Sequence, residues 1–132
     1  MMVYNIGMKM KVETPNAMLP KGSPHSQAII SNNLIFTQGV ICLRPDGTML
    51  EGALEEQVKQ ILNNLKAIVE HAGSDLSKTI KTTIYVTEMT NYDKVNEVYK
   101  EYFSEPYPAR EIVCVKELPL KANVEISLIA EK

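Results

Sequence analysis

Four positions in this chain have the residue type and the setting to handle a small charged molecule. Arg110 follows Pro106-Tyr107-Pro108-Ala109 and opens an apolar run. The prolines fix the path of the approaching chain, so the guanidinium is aimed. Its planar fork suits a carboxylate, which it grips through two parallel hydrogen bonds. Position alone fits a plain surface arginine at a strand end better, since charged side chains are mostly exposed. Glu125 lies between Val124 and Ile126, and strand alternation turns it to the face opposite both. If that face meets another subunit, desolvation raises the carboxyl pKa and suits it to acid–base work; if it meets water, Glu125 is a solvated strand residue. Gln38-Gly39 interrupts the apolar run Leu34–Leu43, and a glycine there marks a bulge or a close approach of a ligand to the backbone. His25, in Ser23-Pro24-His25-Ser26-Gln27, offers an imidazole beside a proline loop. It reads equally as an acid–base group or a solvent-facing loop histidine.

These residues need elements to hold them. Pro15 to Pro24 is rich in Pro and Gly and reads as an irregular loop. Ala28–Ser31 and Leu34–Leu43 read as strands joined by an Asn32-Asn33 turn, because asparagine tolerates the left-handed conformation of tight hairpins. Arg44-Pro45-Asp46-Gly47 is a second turn. From Leu54 to Ala72, apolar residues recur every three or four positions and predict a helix, with Glu55 and Glu56 at its positive end and Gly73 as its stop. Thr79–Thr87 alternates, with Ile80, Thr82, Ile84 and Val86 on one face of a strand. Thr90 and Asp93 resemble a capping pair for a second helix with Tyr92, Val95, Val98, Tyr99, Tyr102 and Phe103 as its apolar stripe. Arg110–Glu117 and Val124–Ala130 read as further strands. Residues 1–14 hold an N-terminal extension and a first strand, with Met8 as an alternative start. The expected fold is therefore α+β: a two-layer sandwich of a six-stranded mixed sheet with two helices on one face. Apolar residues on the other face, Ile112 and Cys114 among them, call for a cover, and a second copy of so short a chain is the natural one.

Composition narrows the function classes. The 132 residues suit a single domain. With 14 Lys and Arg against 16 Asp and Glu, the formal charge is −2, which gives no footprint for nucleic acid or an anionic membrane. No apolar stretch reaches the roughly 20 residues of a membrane helix, and no secretory h-region or Arg- and Ser-rich presequence opens the chain. Cys42 and Cys114 lack metal-site spacing and read as buried, reduced thiols. No phosphate loop, dinucleotide glycine motif or metalloprotease motif occurs. The expected location is cytoplasmic, with a mitochondrial one left open.

Taken in order, several segments resemble the RidA/YjgF family of reactive-intermediate deaminases. They are Ser23-Pro24-His25-Ser26-Gln27-Ala28, Phe36-Thr37-Gln38-Gly39, Asn64-Leu65-Lys66-Ala67-Ile68, Lys81-Thr82-Thr83-Ile84-Tyr85-Val86, Val95-Asn96-Glu97-Val98-Tyr99, Pro108-Ala109-Arg110, Leu118-Pro119 and Val124-Glu125-Ile126. The resemblance covers Pro15 to Ala130. It implies a chorismate-mutase-like fold and a homotrimer with sites at the subunit clefts. The implied reaction is hydrolysis of 2-enamine or 2-imino acids to 2-keto acids and ammonia, without metal or cofactor. In the implied site, Arg110 binds the substrate carboxylate together with the Gly39 N–H, Glu125 positions or activates water, and Asn96 supports the site. The chain departs from the family pattern at His25 (usually tyrosine), Gln38 (usually serine), and Glu111 and Ile112 (usually serine and cysteine). Gln38 is expected to narrow the pocket, Ile112 to make it more apolar and His25 to add a titratable group. A second reading is a trimer that binds small 2-keto acids or related carboxylates without catalysis.

Overall fold

The computed structural model describes residues 8–132; the Met1–Gly7 extension lies outside them. Six strands form one sheet: β1 (Met10–Val12), β2 (Ala28–Ser31), β3 (Leu34–Thr37), β4 (Thr79–Val86), β5 (Ala109–Cys114) and β6 (Val124–Glu131). Their spatial order is β1-β2-β3-β6-β4-β5, with β4 and β5 parallel and every other pair antiparallel. Two helices, α1 (Leu54–His71) and α2 (Tyr92–Tyr102), complete an α+β fold of two layers.

Helix α1 follows from its apolar spacing. Val58, Ile61, Leu62, Leu65, Ile68 and Val69 are all fully buried. Its end is set where Gly73 takes φ +92°, a conformation that costs a glycine nothing. There the Gly73 and Ser74 N–H groups close on the carbonyls of Glu70 and Val69 at 3.0 Å each. The Asn32-Asn33 hairpin also forms as expected, with φ of 50° and 67°. Beneath the helices, Ile35, Ile84, Val86, Val124, Ile126, Leu128 and Ala130 make the sheet's half of the core.

Several boundaries differ from the sequence reading, each for a local reason. The strand expected over Leu34–Leu43 stops at Thr37; beyond the Gln38-Gly39 break only Val40 bridges to β6, opposite Ile126. A register shift between Thr79 and Lys81 turns Thr79 inward and leaves Ile80 exposed, so Ile80 drops out of the buried face expected of β4. Thr90 caps nothing. It lies in a 3-10 turn that runs directly into α2, where its hydroxyl bonds the Glu88 carboxylate. The strand expected to reach Glu117 ends at Cys114, opposite the last residue of β4. At that end of an edge strand Cys114 is exposed, whereas Cys42 is buried as expected.

The second sheet face has a different membership from the one read off the sequence. Register aligns Arg110, Ile112 and Cys114 with Thr82, Ile84 and Val86, which face the helices. Ile112 accordingly packs partly against the core. The face turned away from the helices carries instead Ile29, Phe36, Ile129, Tyr85 and Val113, the residues alternating with the buried set. Phe36 and Val113 are exposed there. No described helix is long and apolar enough to cross a membrane.

One buried polar side chain organises the loop before β2. Gln27 is fully buried. Its Oε1 accepts the Thr14 N–H at 2.7 Å, and its Nε2 donates to the carbonyls of Thr14 at 3.0 Å and Met18 at 2.9 Å. These bonds satisfy backbone groups that no strand reaches. We expect Gln27→Leu, which keeps the bulk and removes the donors and acceptor, to lower unfolding free energy in urea by about 3 kcal/mol.

Candidate functional site

The residues singled out from sequence fall into two groups on opposite sides of the sheet. The first surrounds Glu125. On β6, Val124 and Ile126 point into the core, so Glu125 projects from the far face, opposite Tyr85 of β4. Partial burial pushes its carboxyl above the usual carboxylate range. No hydrogen bond to it is formed among the described residues, so desolvation acts without a compensating donor. Gly39 lies directly against it: a Cβ built there would come within 2.2 Å of Glu125 Oε2. The glycine thus lets the Glu125 carboxylate lie against the backbone in this rotamer, a place a Cβ would take from it, while its φ is ordinary. The flanking N–H groups of Gln38 and Val40 donate to the Gln27 and Ile126 carbonyls at 2.9 and 2.8 Å. The Gly39 N–H has no protein partner among the described residues, which leaves a donor next to a carboxylate.

Glu125 and Gly39 line a cavity of about 530 Å³ together with Gln38 and His25. Its wall is mostly apolar, with Met18, Leu19 and Pro20 from the loop tied down by Gln27. His25 is an exposed loop residue here, its N–H bonded to the Ser23 carbonyl at 2.8 Å. Asn64, also on the wall, is held by its own bonds, donating to the Leu43 carbonyl at 2.6 Å.

The second group surrounds Arg110 on the helix side. Its Nη1 donates to Asn96 Oδ1 at 2.7 Å and its Nη2 to the Tyr92 hydroxyl at 3.3 Å. The guanidinium carbon lies 5.0 Å from the Tyr99 ring centroid and 5.7 Å from that of Tyr92. Such contacts favour the cation and fix its plane. Tyr99 is fixed in turn, its hydroxyl 2.8 Å from Thr82 Oγ1; burial raises its pKa, keeping it a neutral phenol. Two of the five guanidinium N–H donors are spent on this clamp, and the rest stay available. Arg110 and Asn96 line a second cavity, of about 320 Å³, with Tyr99, Lys100, Tyr107 and Pro108.

The structure thus joins Glu125, Gly39, Gln38 and His25 in one place, and Arg110 and Asn96 in another. Ile112 lines neither cavity. Sequence reasoning placed Tyr92 and Tyr99 in the apolar stripe of α2 and missed that they hold the guanidinium. The available signal was the spacing of Tyr92, Asn96 and Tyr99 at i, i+4 and i+7, one face of a helix. No cluster of three or more potential metal ligands occurs among the described residues.

A family model described as Endoribonuclease L-PSP matches residues 15–132. The chain belongs to the RidA/YjgF family. A RutC family protein of Pyrococcus horikoshii is 44% identical over 95% of this chain and 99% of its own length. A 2-iminobutanoate/2-iminopropanoate deaminase of Dermatophagoides farinae is 36% identical, covering 89% of this chain and 92% of that one. Among solved structures, E. coli TdcF with bound serine superposes with a TM-score of 0.86 at 32% identity, over 93% of this chain and 98% of that one.

The contact between Gly39 and Glu125 makes a direct prediction. Gly39→Ala should cost at most about 1 kcal/mol of stability in the native chain, because the methyl group takes the carboxylate's place and turns the Glu125 side chain out of its rotamer. In a Glu125→Ala background the same change should be close to neutral. Paired urea denaturation of the four proteins measures the coupling.

Proposed function

We propose that the chain hydrolyses 2-imino acids, and the enamines in equilibrium with them, to 2-keto acids and ammonia, in a homotrimer whose sites lie between subunits. The observation that carries this reading is the separation of Arg110 from Glu125. Each is prepared for chemistry, one as a clamped cation with spare donors, the other as a desolvated carboxyl beside a free N–H. Within one chain the sheet divides them. Two neighbouring copies bring them together if the β5 edge of one, with Arg110 and Asn96, meets the uncovered sheet face of the next, with Gly39 and Glu125. The exposed Phe36 and Val113 on that face are what such a contact would bury. Family membership, and the deaminase name of the Dermatophagoides relative, point to the same reaction. The serine in the TdcF structure shows that protein holding a small carboxylate.

The proposed step needs no strong activation. Arg110 and the Gly39 N–H hold the substrate carboxylate, which fixes the imine carbon. Water adds to that carbon as its proton passes to Glu125; the C–O bond forms and the C=N π pair moves to nitrogen. Glu125 then returns the proton to nitrogen, giving the neutral carbinolamine; the hydroxyl proton next passes through the same carboxylate to that nitrogen, so that as the carbonyl forms the C–N bond breaks and its electron pair leaves with neutral ammonia. An acid–base group of this kind contributes about 10²–10⁴-fold, enough for imines that already hydrolyse in water. A net charge of −2 offers RNA little electrostatic attraction, which disfavours an RNA-cleaving role.

The test is kcat/KM for keto-acid formation from dehydratase-generated 2-iminobutanoate. Glu125→Gln should lose about 10²–10⁴-fold, with Arg110 still binding 2-oxobutyrate. Arg110→Ala should lose both turnover and binding. Because water activation needs the ionised carboxylate, activity should fall with decreasing pH through an upward-shifted carboxyl pKa, and the residual activity of Glu125→Gln should lack that limb. Keto-acid binding in a wild type that does not accelerate hydrolysis would instead identify a carboxylate-binding trimer.

A further inference from the structure

Every side chain that holds the Arg110 guanidinium stands on one helix. Tyr92, Asn96 and Tyr99 belong to α2, whereas Arg110 itself belongs to β5. The clamp therefore works at one spacing between helix and sheet. A 2.7 Å hydrogen bond to Asn96 and a ring 5.0 Å from the guanidinium carbon leave little room for α2 to lift or slide. Something other than Arg110 must set that spacing, because a long arginine side chain has the rotamer freedom to follow its partners.

Thr82 is placed to set it. It is fully buried on the helix-facing side of β4, where the next two residues of that face are Ile84 and Val86. Its neighbour across the parallel pair is Arg110. Its hydroxyl lies 2.8 Å from the Tyr99 hydroxyl, the one hydrogen bond that joins β4 to α2 among the described residues. A valine here would fill almost the same space with no hydroxyl to desolvate, so core packing alone gives the threonine no advantage. What the hydroxyl does is tie down the far end of the Tyr99 ring. The near end is carried by α2, the guanidinium lies over the ring, and the Phe103 ring centroid lies 4.4 Å from its own. A ring held at both ends spans the two layers as a spacer of fixed length. Tyr99 is 4% exposed and Thr82 fully buried, so the pair is closed within one chain and needs no partner subunit.

We infer that Thr82 is a positioning residue for the proposed reaction: through the Tyr99 hydroxyl it fixes the height of α2 over the sheet, and with it the orientation in which the Arg110 fork meets the substrate carboxylate. This rests on the deaminase reading and adds to it a residue that never touches substrate. A two-bonded grip tolerates little tilt, and a shift of about 1 Å in a positioned group costs up to about 10²-fold in rate.

Thr82→Val, Tyr99→Phe and the double variant separate positioning from support. Each single change leaves one buried hydroxyl without a partner and should lower the urea midpoint; the double change removes both hydroxyls and should bring the midpoint back near that of wild type. Binding should follow another pattern. By calorimetry, 2-oxobutyrate should bind about tenfold more weakly to both single variants and equally so to the double, with KM for 2-iminobutanoate rising in step. Thr82→Ser keeps the hydroxyl and should stay within about twofold of wild type. Unchanged binding in the variants overturns the inference, as does a loss that tracks the urea midpoint and disappears in the double variant, for Thr82 would then only support the fold. A second readout needs no ligand. Arg110 and Arg44 are the only arginines of the chain, so nitrogen NMR of protein carrying isotope-labelled arginine is assigned with one Arg44→Lys variant. A held guanidinium rotates slowly and gives separate Nη signals, which the double variant should merge. If wild type neither binds 2-oxobutyrate nor turns over 2-iminobutanoate, the deaminase reading fails by itself and the spectrum decides. Merging confined to the variants upholds the spacer; Nη signals as separate in the double variant as in wild type, or merged already in wild type, remove it.

Discussion

Strand alternation is the constraint on which the rest of this structure depends. Successive side chains of a strand leave opposite faces of the sheet. Register ties Arg110 to Thr82, which bonds into α2, while Glu125 alternates with two core residues and projects the other way. No rotamer change carries either side chain through a packed sheet. A reaction that uses both groups must therefore be assembled from two chains. The uncovered apolar face and the edge strand β5 are the surfaces that such assembly would use.

Each half is preorganised separately. Around Arg110, two hydrogen bonds and two aromatic rings remove the conformational freedom a free arginine would lose on binding. Around Glu125 the preparation is the reverse, because the carboxyl is partly desolvated and accepts no hydrogen bond among the described residues. A carboxylate in that state gains most from a proton, which is the property wanted in a group that takes one from water. Gly39 links the two requirements on this side. It makes room for the carboxylate and offers an N–H beside it.

Much of this was legible in the sequence where the signal was periodic or steric. The α1 stripe, the Asn32-Asn33 turn and the Gly73 stop follow from apolar spacing and from conformations that asparagine and glycine tolerate. Glu125 between two core residues announced its own face, and Gly39 in an apolar run announced a close approach. What the sequence hid depended on contacts between distant segments. The shift at Thr79 that expels Ile80 is a property of pairing with β6. The placing of Ile112 with the core rather than on the uncovered face is a property of parallel register with β4. Tyr99 is the core residue its place in the stripe implied, but nothing local showed that its ring and that of Tyr92 also hold a guanidinium, because a ring packs equally well against an aliphatic chain or a cation.

The most direct test of the central claim is subunit mixing. Arg110→Ala and Glu125→Gln chains, each inactive alone, are co-expressed in equal amounts under separate affinity tags and purified through both. If every site takes its guanidinium from one chain and its carboxylate from the next, each mixed trimer that carries both tags keeps one intact site of its three, and the purified protein regains about a third of wild-type turnover. If the two groups act within a single chain, the mixture stays as inactive as its parents, and the shared cleft is refuted.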